Sequence, residues 1–288
     1  MRPARALAGC ALACLVLSVP GASGTAPTPG ATGTAPVRGG TPLLHRYLTD
    51  ASDGATTLRY GYDLVDTGTD KTFIDHLPRG QRALVWLGDY DGSTCAFEIS
   101  DAEVVRTIAP LARDRRVAGF YIADEADDAQ TRYGGGCTGV AAAVAARSAL
   151  VHRVAPGHFT YEVLTEPGTF ADFAAATDVM GVDPYPCRVD RPCDWKLIPR
   201  FVAALRAAHV RHYWGVLQAF AYEPWRLPTA DELRRMVEQW SQTCWEGEQT
   251  FAWTYQGYSL AQHPRLLAVL AELNRSRTAR PSRCTGGR

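Results

Sequence analysis

The sequence lacks several features that would point to whole classes of protein. It has no excess of charge of either sign, with 30 basic and 30 acidic residues among 288, and no basic stripe. Nucleic acid and anionic membrane surfaces are therefore poor candidates as partners. No phosphate loop of the G-x-G-x-x-G type follows an apolar run, and there is no G-x-S-x-G motif. These absences disfavour nucleotide-binding enzymes and serine hydrolases of those types.

Apolar segments long enough to cross a membrane are also missing. The apolar stretch at 6–19 is shorter than the roughly 20 residues that a transmembrane helix needs. It follows two arginines and precedes a Pro-Gly break with small residues, so we expect residues 1–24 to be a secretory signal peptide and the protein to be extracellular. Lipid anchoring at Cys10, within the letters L-A-G-C, is the alternative.

Cysteine and histidine are scattered along the chain, which disfavours a zinc site. Of eight cysteines, two lie in the predicted signal and six remain. An even number in an exported chain predicts disulfides. The expected pairs are Cys187 with Cys193, Cys95 with Cys137, and Cys244 with Cys284. We expect neither a metal ion nor another cofactor.

One theme repeats along residues 41–275, a short apolar run followed by a helix-like segment. Eight runs have the character of strands, namely 43–48, 60–65, 83–88, 119–123, 159–164, 178–182, 212–220 and 250–255. Helix signals between them include a capping box that begins at Thr229 and a proline start at Pro264. Strands that alternate with helices predict a parallel sheet, and eight units predict a single (β/α)8 TIM barrel. A doubly wound sheet is the alternative.

The remaining segments fit a chain with one folded domain. Residues 25–40 consist mainly of Pro, Thr, Gly and Ala, so we expect a flexible linker there. Residues 276–288 are expected to form a C-terminal tail tied down by Cys284. The hydrophobic content of 46% suffices for one large core, and we expect a monomer.

Acidic and aromatic residues stand at the ends of the apolar runs. In a barrel, the carboxyl ends of the strands meet at one mouth and build the active site. The set is Asp63, Asp66, Asp89, Asp91, Asp124, Glu125, Glu162, Glu166, Asp183, Tyr185, Gln218, Phe220, Trp253, Tyr255 and Gln256. A carboxyl group can protonate a glycosidic oxygen, a second can stabilise an oxocarbenium-like carbon, and flat rings stack on sugar faces. The set therefore points to polysaccharide chemistry.

The pattern resembles the TIM-barrel glycoside hydrolases. The run G-F-Y-I-A-D-E, ending at Glu125, resembles their fourth-strand signature, and D-V-M-G-V-D-P-Y-P, V-L-Q-A-F and F-A-W-T-Y-Q resemble their sixth, seventh and eighth strands. The resemblance spans residues 43–273 and implies a divergent, secreted bacterial member. It implies that Glu125 is the proton donor and Trp253 the floor of a sugar subsite. Further expected substrate contacts are Asp89, Asp124, Tyr185, Gln218 and Tyr255.

Departures from that family leave the mechanism open. Its largest retaining clan carries a second glutamate on strand seven, where this chain has Gln218, and a chitinase-type motif would need an acid at Ala123. Asp183 is therefore the expected second carboxylate, as nucleophile, as base of an inverting enzyme or as partner of an acetamido group. A carboxyl separation of about 5 Å would favour the nucleophile, and about 6.5–9.5 Å the inverting base.

Structural roles and other functions also stay open at this point. The structural alternatives are an ion pair of Glu125 with Arg132, a loop cap at Asp183, a turn at Asp89 and core filling by Trp253 and Tyr255. Asp127 and Asp128 are expected in a solvated loop. A carbohydrate-binding barrel without catalysis is suggested by Gln218, and a wall-associated structural protein is a third possibility.

Overall fold

The structure, a computed structural model, describes residues 45–51, 54–131 and 136–276, and its central feature is a closed barrel of eight parallel strands. The strands are β1 (His45–Leu48), β2 (Leu64–Thr67), β3 (Arg82–Trp86), β4 (Val117–Asp124), β5 (Phe159–Leu164), β6 (Val179–Val182), β7 (Tyr213–Gln218) and β8 (Gly247–Phe251). Each strand pairs with its neighbours in sequence, and β8 closes on β1. The predicted (β/α)8 barrel is confirmed. The predicted signal peptide, the linker and residues 277–288 lie outside the described residues.

Helices connect the barrel strands. They are α1 (Gly54–Arg59), α2 (Lys71–Asp75), α3 (Asp101–Ile108), α4 (Asp128–Thr131), α5 (Val140–Val154), α6 (Phe170–Phe173), α7 (Leu197–Ala207), α8 (Ala230–Ser241) and α9 (Pro264–Ser276). Short antiparallel strand pairs also occur in the loops after β3 (Tyr90–Asp91 with Ala96–Phe97) and β8 (Thr254–Tyr255 with Tyr258–Ser259). None of the described helices is long and apolar enough to cross a membrane.

The start of α8 shows how the sequence sets a helix boundary. The Thr229 hydroxyl accepts a hydrogen bond from the Glu232 amide at 3.2 Å, and the Glu232 carboxylate accepts one from the Thr229 amide at 2.8 Å. The predicted capping box is therefore present, and it satisfies amides that the first helical turn leaves free. The buried residues of α8 recur at helical spacing: Leu233, Met236, Val237 and Trp240.

Two strand ends differ from the prediction, and each difference relocates a side chain. Because β2 begins at Leu64, Asp63 precedes the strand at the end of the barrel opposite the mouth, where it lies 2.9 Å from His45 Nδ1. Its expected place at the mouth was wrong. Because β8 ends at Phe251, Trp253 lies in the loop beyond the strand.

The inside of the barrel is filled by aromatic side chains. Tyr47, Tyr121, Tyr161 and Trp214 are each at most 2% exposed. The ring centroids of Tyr121 and Tyr161 lie 4.9 Å apart, and those of Tyr161 and Trp214 lie 4.7 Å apart. The Tyr161 hydroxyl donates to Gln249 Oε1 at 2.7 Å, so the one polar end of this ring is satisfied inside the barrel.

Gly181→Ala is expected to lower the free energy of unfolding by about 1–3 kcal/mol. The added methyl group would collide with the Tyr161 hydroxyl and lie 2.7 Å from Val163 Cγ2. The midpoint of denaturant unfolding measures the effect. Gly168→Ala is the matched control, because a Cβ at Gly168 meets nothing within 4 Å. Equal midpoints for the two variants would contradict a tightly filled barrel.

Candidate active site

Glu125 stands where β4 leaves the barrel. Its backbone lies in the left-handed region at φ 48°, which costs a non-glycine residue roughly 1–2 kcal/mol. Two hydrogen bonds hold this conformation: the Glu125 amide donates to Val163 O at 2.9 Å, and the Asp128 amide donates to Glu125 O at 3.0 Å. Strain of this kind concentrates at functional sites. Arg132, the alternative ion-pair partner of Glu125, lies outside the described residues.

Asp183 follows β6 and is only 4% exposed. Its side chain lies close enough to the carboxyl group of Glu125 for the two groups to interact directly. Burial, and then the negative charge of Glu125, raises the pKa of Asp183 well above its ordinary value. Its Oδ1 atom has no hydrogen-bond partner among the described residues. The structure thus brings the two predicted catalytic residues together as a close pair of carboxyl groups.

Asp124, the last residue of β4, is a further acid beside Glu125. The Tyr121 hydroxyl donates to Asp124 Oδ1 at 2.6 Å, and the Asp124 amide donates to Asp89 Oδ1 at 3.0 Å. Burial, and then the charges of Glu125 and Asp89, raises the pKa of Asp124 well above its ordinary value. Asp89 therefore affects Asp124 in two ways: it accepts a hydrogen bond from the Asp124 amide, and its charge helps to raise the pKa of the Asp124 carboxyl group.

Asp127 fixes the turn that carries Glu125. The expectation of a solvated loop was wrong for Asp127, because its side chain is fully buried. Its carboxylate accepts hydrogen bonds from the Glu166 amide at 2.8 Å, the Thr165 amide at 3.3 Å and the Thr169 hydroxyl at 3.0 Å. Burial raises the pKa of Asp127 to about 6. The residue ties the loop after β4 to the loop after β5.

A group of aromatic side chains lies at the mouth beside the acids. This aromatic wall consists of Tyr185, Phe220, Tyr222, Trp225, Phe251 and Tyr255. Contacting rings in the wall have centroids 4.9 to 6.1 Å apart. Burial, and then the charge of Asp183, raises the pKa of Tyr185, which places the wall next to the acids. Tyr222 is 46% exposed, so the wall reaches solvent.

Tyr255 and Trp253 lie in different surroundings. The Tyr255 ring belongs to the aromatic wall, 4.9 Å from the ring of Phe251. Trp253 instead packs on Tyr60, with ring centroids 6.1 Å apart, and on the apolar core between barrel and helices. Phe251, at the end of β8, is the residue of this segment whose ring joins Tyr255 in the aromatic wall, while the role expected for Trp253 stays a prediction.

Gln218, at the end of β7, is fully buried and hydrogen bonded at both ends of its amide. Its Oε1 accepts from the Cys187 amide at 2.9 Å, and its Nε2 donates to Cys187 O at 2.8 Å and to Arg226 O at 2.7 Å. Gln218 therefore fastens the loop after β6 to the loop after β7. This position differs from the expected substrate contact, because the side chain presents no surface to the mouth.

Disulfides close two loops near the mouth, as predicted. Cys187 and Cys193 are bonded at 2.00 Å, and Cys95 and Cys137 at 2.04 Å. Cys284, the expected partner of Cys244, lies outside the described residues. Within the described part of the chain, one group of side chains has the spacing of metal ligands: Cys187, Cys193 and Glu232. Its two sulfurs are bonded to each other and are not available as thiolates.

Glu162 was predicted at the mouth but faces the helices instead. Alternation along β5 turns Tyr161 and Val163 into the barrel and Glu162 away from it. The Thr177 hydroxyl donates to Glu162 Oε1 at 2.9 Å, while Oε2 has no hydrogen-bond partner among the described residues. Burial raises the pKa of this fully buried carboxyl group to about 8.

Glu162→Gln is expected to flatten the pH dependence of stability. The pKa of the wild-type group rises from 4.5 to about 8 on folding, so the folded state holds a proton that the unfolded state releases between these values. Wild-type stability should therefore fall as pH rises from about 4.5 to about 8, by a few kcal/mol, and the glutamine variant should lack this decline. Unfolding midpoints across this range measure it. Parallel pH profiles would contradict the buried, protonated state.

Comparison with known proteins places the fold among TIM-barrel glycoside hydrolases. A proposed α-L-fucosidase from Bacteroides thetaiotaomicron superposes with a TM-score of 0.56 at 13% identity, over 82% of this chain and 94% of that one. An endo-β-1,3-glucanase from Amycolatopsis mediterranei, solved with laminaripentaose, gives 0.53 at 14% identity, over 79% and 98%. A β-galactosidase from Marinomonas ef1 gives 0.55 at 10% identity, over 81% and 59%.

These likenesses are structural, and at such low identity they define the fold alone. No protein-family model matches the sequence, and no curated protein matches it either. The chain therefore has the barrel architecture of glycoside hydrolases combined with its own arrangement of acids and rings at the mouth.

Proposed function

We propose that this protein is a secreted glycoside hydrolase that cleaves glycosidic bonds of a polysaccharide or glycoconjugate. The observation that carries the proposal is the buried contact between the carboxyl groups of Glu125 and Asp183. Two neighbouring carboxyl groups beside an aromatic surface are the components that glycoside hydrolysis requires. The two disulfides support an extracellular location, since such bonds persist in oxidising compartments.

With one proton between them, Asp183 and Glu125 would together supply both catalytic groups. Transfer of the proton from Asp183 to Glu125 within their hydrogen bond creates an acid and a carboxylate in one step. Glu125 then protonates the leaving glycosidic oxygen while the bond from that oxygen to the sugar carbon breaks, and Asp183 attacks or stabilises that carbon. In the second step Glu125 accepts a proton from water, the water oxygen bonds to the sugar carbon, the bond between that carbon and Asp183 breaks, and Asp183 leaves as a carboxylate, which restores the pair.

The direct contact favours a retaining mechanism over an inverting one. An inverting enzyme needs room for a water molecule between its carboxyl groups, at a separation of about 6.5–9.5 Å. The direct interaction of Glu125 with Asp183 leaves no such room, and it brings the two groups closer even than the roughly 5 Å typical of retaining enzymes. We therefore assign Asp183 the role of nucleophile, and Asp124 and the aromatic wall the role of substrate contacts.

Activity on glycans tests the proposal. The wild-type protein is incubated with a panel of α- and β-linked polysaccharides and oligosaccharides, and new reducing ends are measured. Release from at least one substrate by the wild type, with none from a Glu125→Gln preparation made in parallel, is expected. Equal release from both preparations would assign the activity to a contaminant and reject the proposal.

A carbohydrate-binding barrel without catalysis is the second candidate. Gln218 favours this candidate. It occupies the strand-seven position that carries a glutamate in the largest retaining clan, and its side chain is used to hold two loops together. Glycan binding with no hydrolysis across the whole panel would select this candidate.

A further inference from the structure

We propose that Trp86 forms a second sugar-binding surface at the mouth, opposite the aromatic wall, so that a glycan is held on both sides of the acid pair of Glu125 and Asp183. The bond that is cleaved is then an internal bond of the glycan. The inference rests on the proposed function and adds the substrate class, which is the interior of a polysaccharide rather than the end of a chain.

Trp86 is the last residue of β3, and its side chain belongs to the inside of the barrel. Leu84 and Trp86 pack with the rings inside the barrel, whereas Ala83 and Val85 pack in the core between the barrel and the helices. This is the alternation expected along a strand. Because Trp86 stands at the carboxyl end of β3, its indole lies in the layer of the barrel interior that borders the mouth.

The indole of Trp86 is only partly buried, unlike the rings that fill the barrel below it. Its centroid lies 4.7 Å from that of the Tyr121 ring, at an interplanar angle of 81°, and Tyr121 is 2% exposed. The indole therefore rests on the buried aromatic filling, and its exposed part faces the mouth. Such a ring is a large, rigid apolar surface with a polar N–H, which suits it to contact a sugar.

Trp86 and the aromatic wall lie on opposite sides of the barrel. In the closed ring of eight strands, β3 and β7 are four strands apart, so they face each other across the barrel axis. The wall is centred on the loop after β7, which carries Phe220 and Trp225. Tyr185 joins it from the loop after β6, and Phe251 joins it from the end of β8.

The acid pair lies between these two aromatic surfaces. On the β3 side, the Trp86 ring contacts Tyr121, whose hydroxyl donates at 2.6 Å to Asp124, the residue before the glutamate of the pair. On the other side, Asp183 precedes Tyr185 by two residues. Burial, and then the charge of Asp183, raises the pKa of Tyr185, so this ring of the wall lies beside the acid.

Rings on both sides of the acids favour an internal bond. A wall on one side alone would hold either the sugar that is attacked or the sugar that leaves. With Trp86 on the opposite side, both sugars contact a ring, and their binding orients the bond between them at the acids. A glycan that extends to only one side of the acids loses one of the two surfaces.

Binding to the Glu125→Gln protein tests the second surface without turnover. The probes are hexasaccharides and disaccharides of β-1,3-, β-1,4- and α-1,4-linked glucose and of β-1,4-linked N-acetylglucosamine, titrated by calorimetry. The best hexasaccharide is expected to bind at least about tenfold more tightly than its disaccharide, and adding Trp86→Ala should weaken its binding at least about tenfold. Trp195→Ala is the matched control. Trp195 is also partly buried but packs on Arg235, so its loss should leave the affinity unchanged.

Two further variants distinguish a sugar contact from a filler of the barrel. Trp86→Tyr keeps a flat ring at the mouth and should retain most of the hexasaccharide affinity. Trp86→Leu keeps an apolar side chain but no ring, and should bind as weakly as Trp86→Ala. Thermal unfolding curves show which variants are folded. Equal affinities of the folded tyrosine and leucine variants would contradict stacking on Trp86.

The pattern of cleavage tests the internal position of the bond. Wild-type protein digests the polysaccharides of the same four linkages, and chain length is followed by size-exclusion chromatography together with new reducing ends. An early fall in chain length, with oligosaccharides as the first products, is expected. Release of single sugars from chain ends while the polymer stays long would overturn the inference and uphold the glycosidase.

The binding results separate this inference from the proposed function. Hexasaccharide binding that depends on Trp86 supports the second surface even if no glycan is hydrolysed, a result that would reject catalysis. Unchanged affinity in a folded Trp86→Ala variant, or no binding of any hexasaccharide, would overturn the second surface.

Discussion

Glutamine in place of Glu125 is expected to lower kcat for glycan hydrolysis by about 10²–10⁴-fold. The amide can occupy the same turn but has no proton to deliver to the leaving oxygen. The melting temperature is expected to stay the same or to rise, because the amide can still donate a hydrogen bond to Asp183 and carries no negative charge beside that buried acid. Initial rates on the best substrate and thermal unfolding curves measure the two effects.

Control variants distinguish the loss of a catalytic group from the loss of structure. Glu238→Gln makes the same chemical change on the exposed face of α8 and should keep full activity. Asp183→Asn removes the other member of the pair and should also abolish turnover while the barrel remains folded. Full activity in the Glu125→Gln protein would show that the acid at the end of β4 has no part in catalysis.

Gln218→Glu is expected to destabilise the protein by about 2–4 kcal/mol. Both donors of the amide are lost, so the carbonyl oxygens of Cys187 and Arg226 lose their partners inside the protein. The new carboxyl group would also be fully buried, either as a charge without solvent or in its protonated form. Denaturant midpoints measure the loss, and activity should fall because Cys187 shares a short loop with Asp183 and Tyr185.

The same variant separates two views of strand seven. If Gln218 only replaces a catalytic glutamate, the glutamate variant should gain activity. If Gln218 fastens two loops, the variant should be less stable and less active. Gln262→Glu makes the same change at an exposed position and should alter neither property. A rise in kcat without loss of stability would contradict the support role.

The barrel could be predicted from sequence because its signals are repetitive. Eight apolar runs alternate with helical segments. Once the runs are recognised as strands, the alternation with helices predicts their order in the barrel. The capping box at Thr229 and the helix start at Pro264 could be placed closely, since they depend on local chemistry. Strand ends were harder, because they depend on pairing with a neighbour distant in sequence.

Those uncertain ends explain the site residues that were misplaced. The strand β8 ends at Phe251, four residues before the predicted end, so Phe251 lies at the aromatic wall and Trp253 lies in the loop beyond the strand. Alternation along β5 alone decides that Glu162 faces the helices, and a short apolar run does not reveal which alternate set is inside. Such errors arise wherever a change of one residue in the strand register turns a side chain to the opposite face of the sheet.

The acidic cluster after β4 shows the other limit. The sequence singled out Glu125 by its place in a strand-end motif, and Asp183 because strand seven carries Gln218 in place of a second glutamate. It gave no reason to separate Asp127 from Asp128, although the first is buried and holds the loop after β5. Hydrogen bonds to backbone amides far along the chain leave no pattern in local sequence.

The dependence of rate on the leaving group tests the role of Glu125 most directly. The wild type and Glu125→Gln are compared on the natural linkage and on a dinitrophenyl glycoside of the same sugar, whose leaving group departs without protonation. Loss of the proton donor should slow the natural linkage by at least about a hundredfold and the dinitrophenyl glycoside far less. Equal slowing of both substrates would contradict the assignment of Glu125 as the acid.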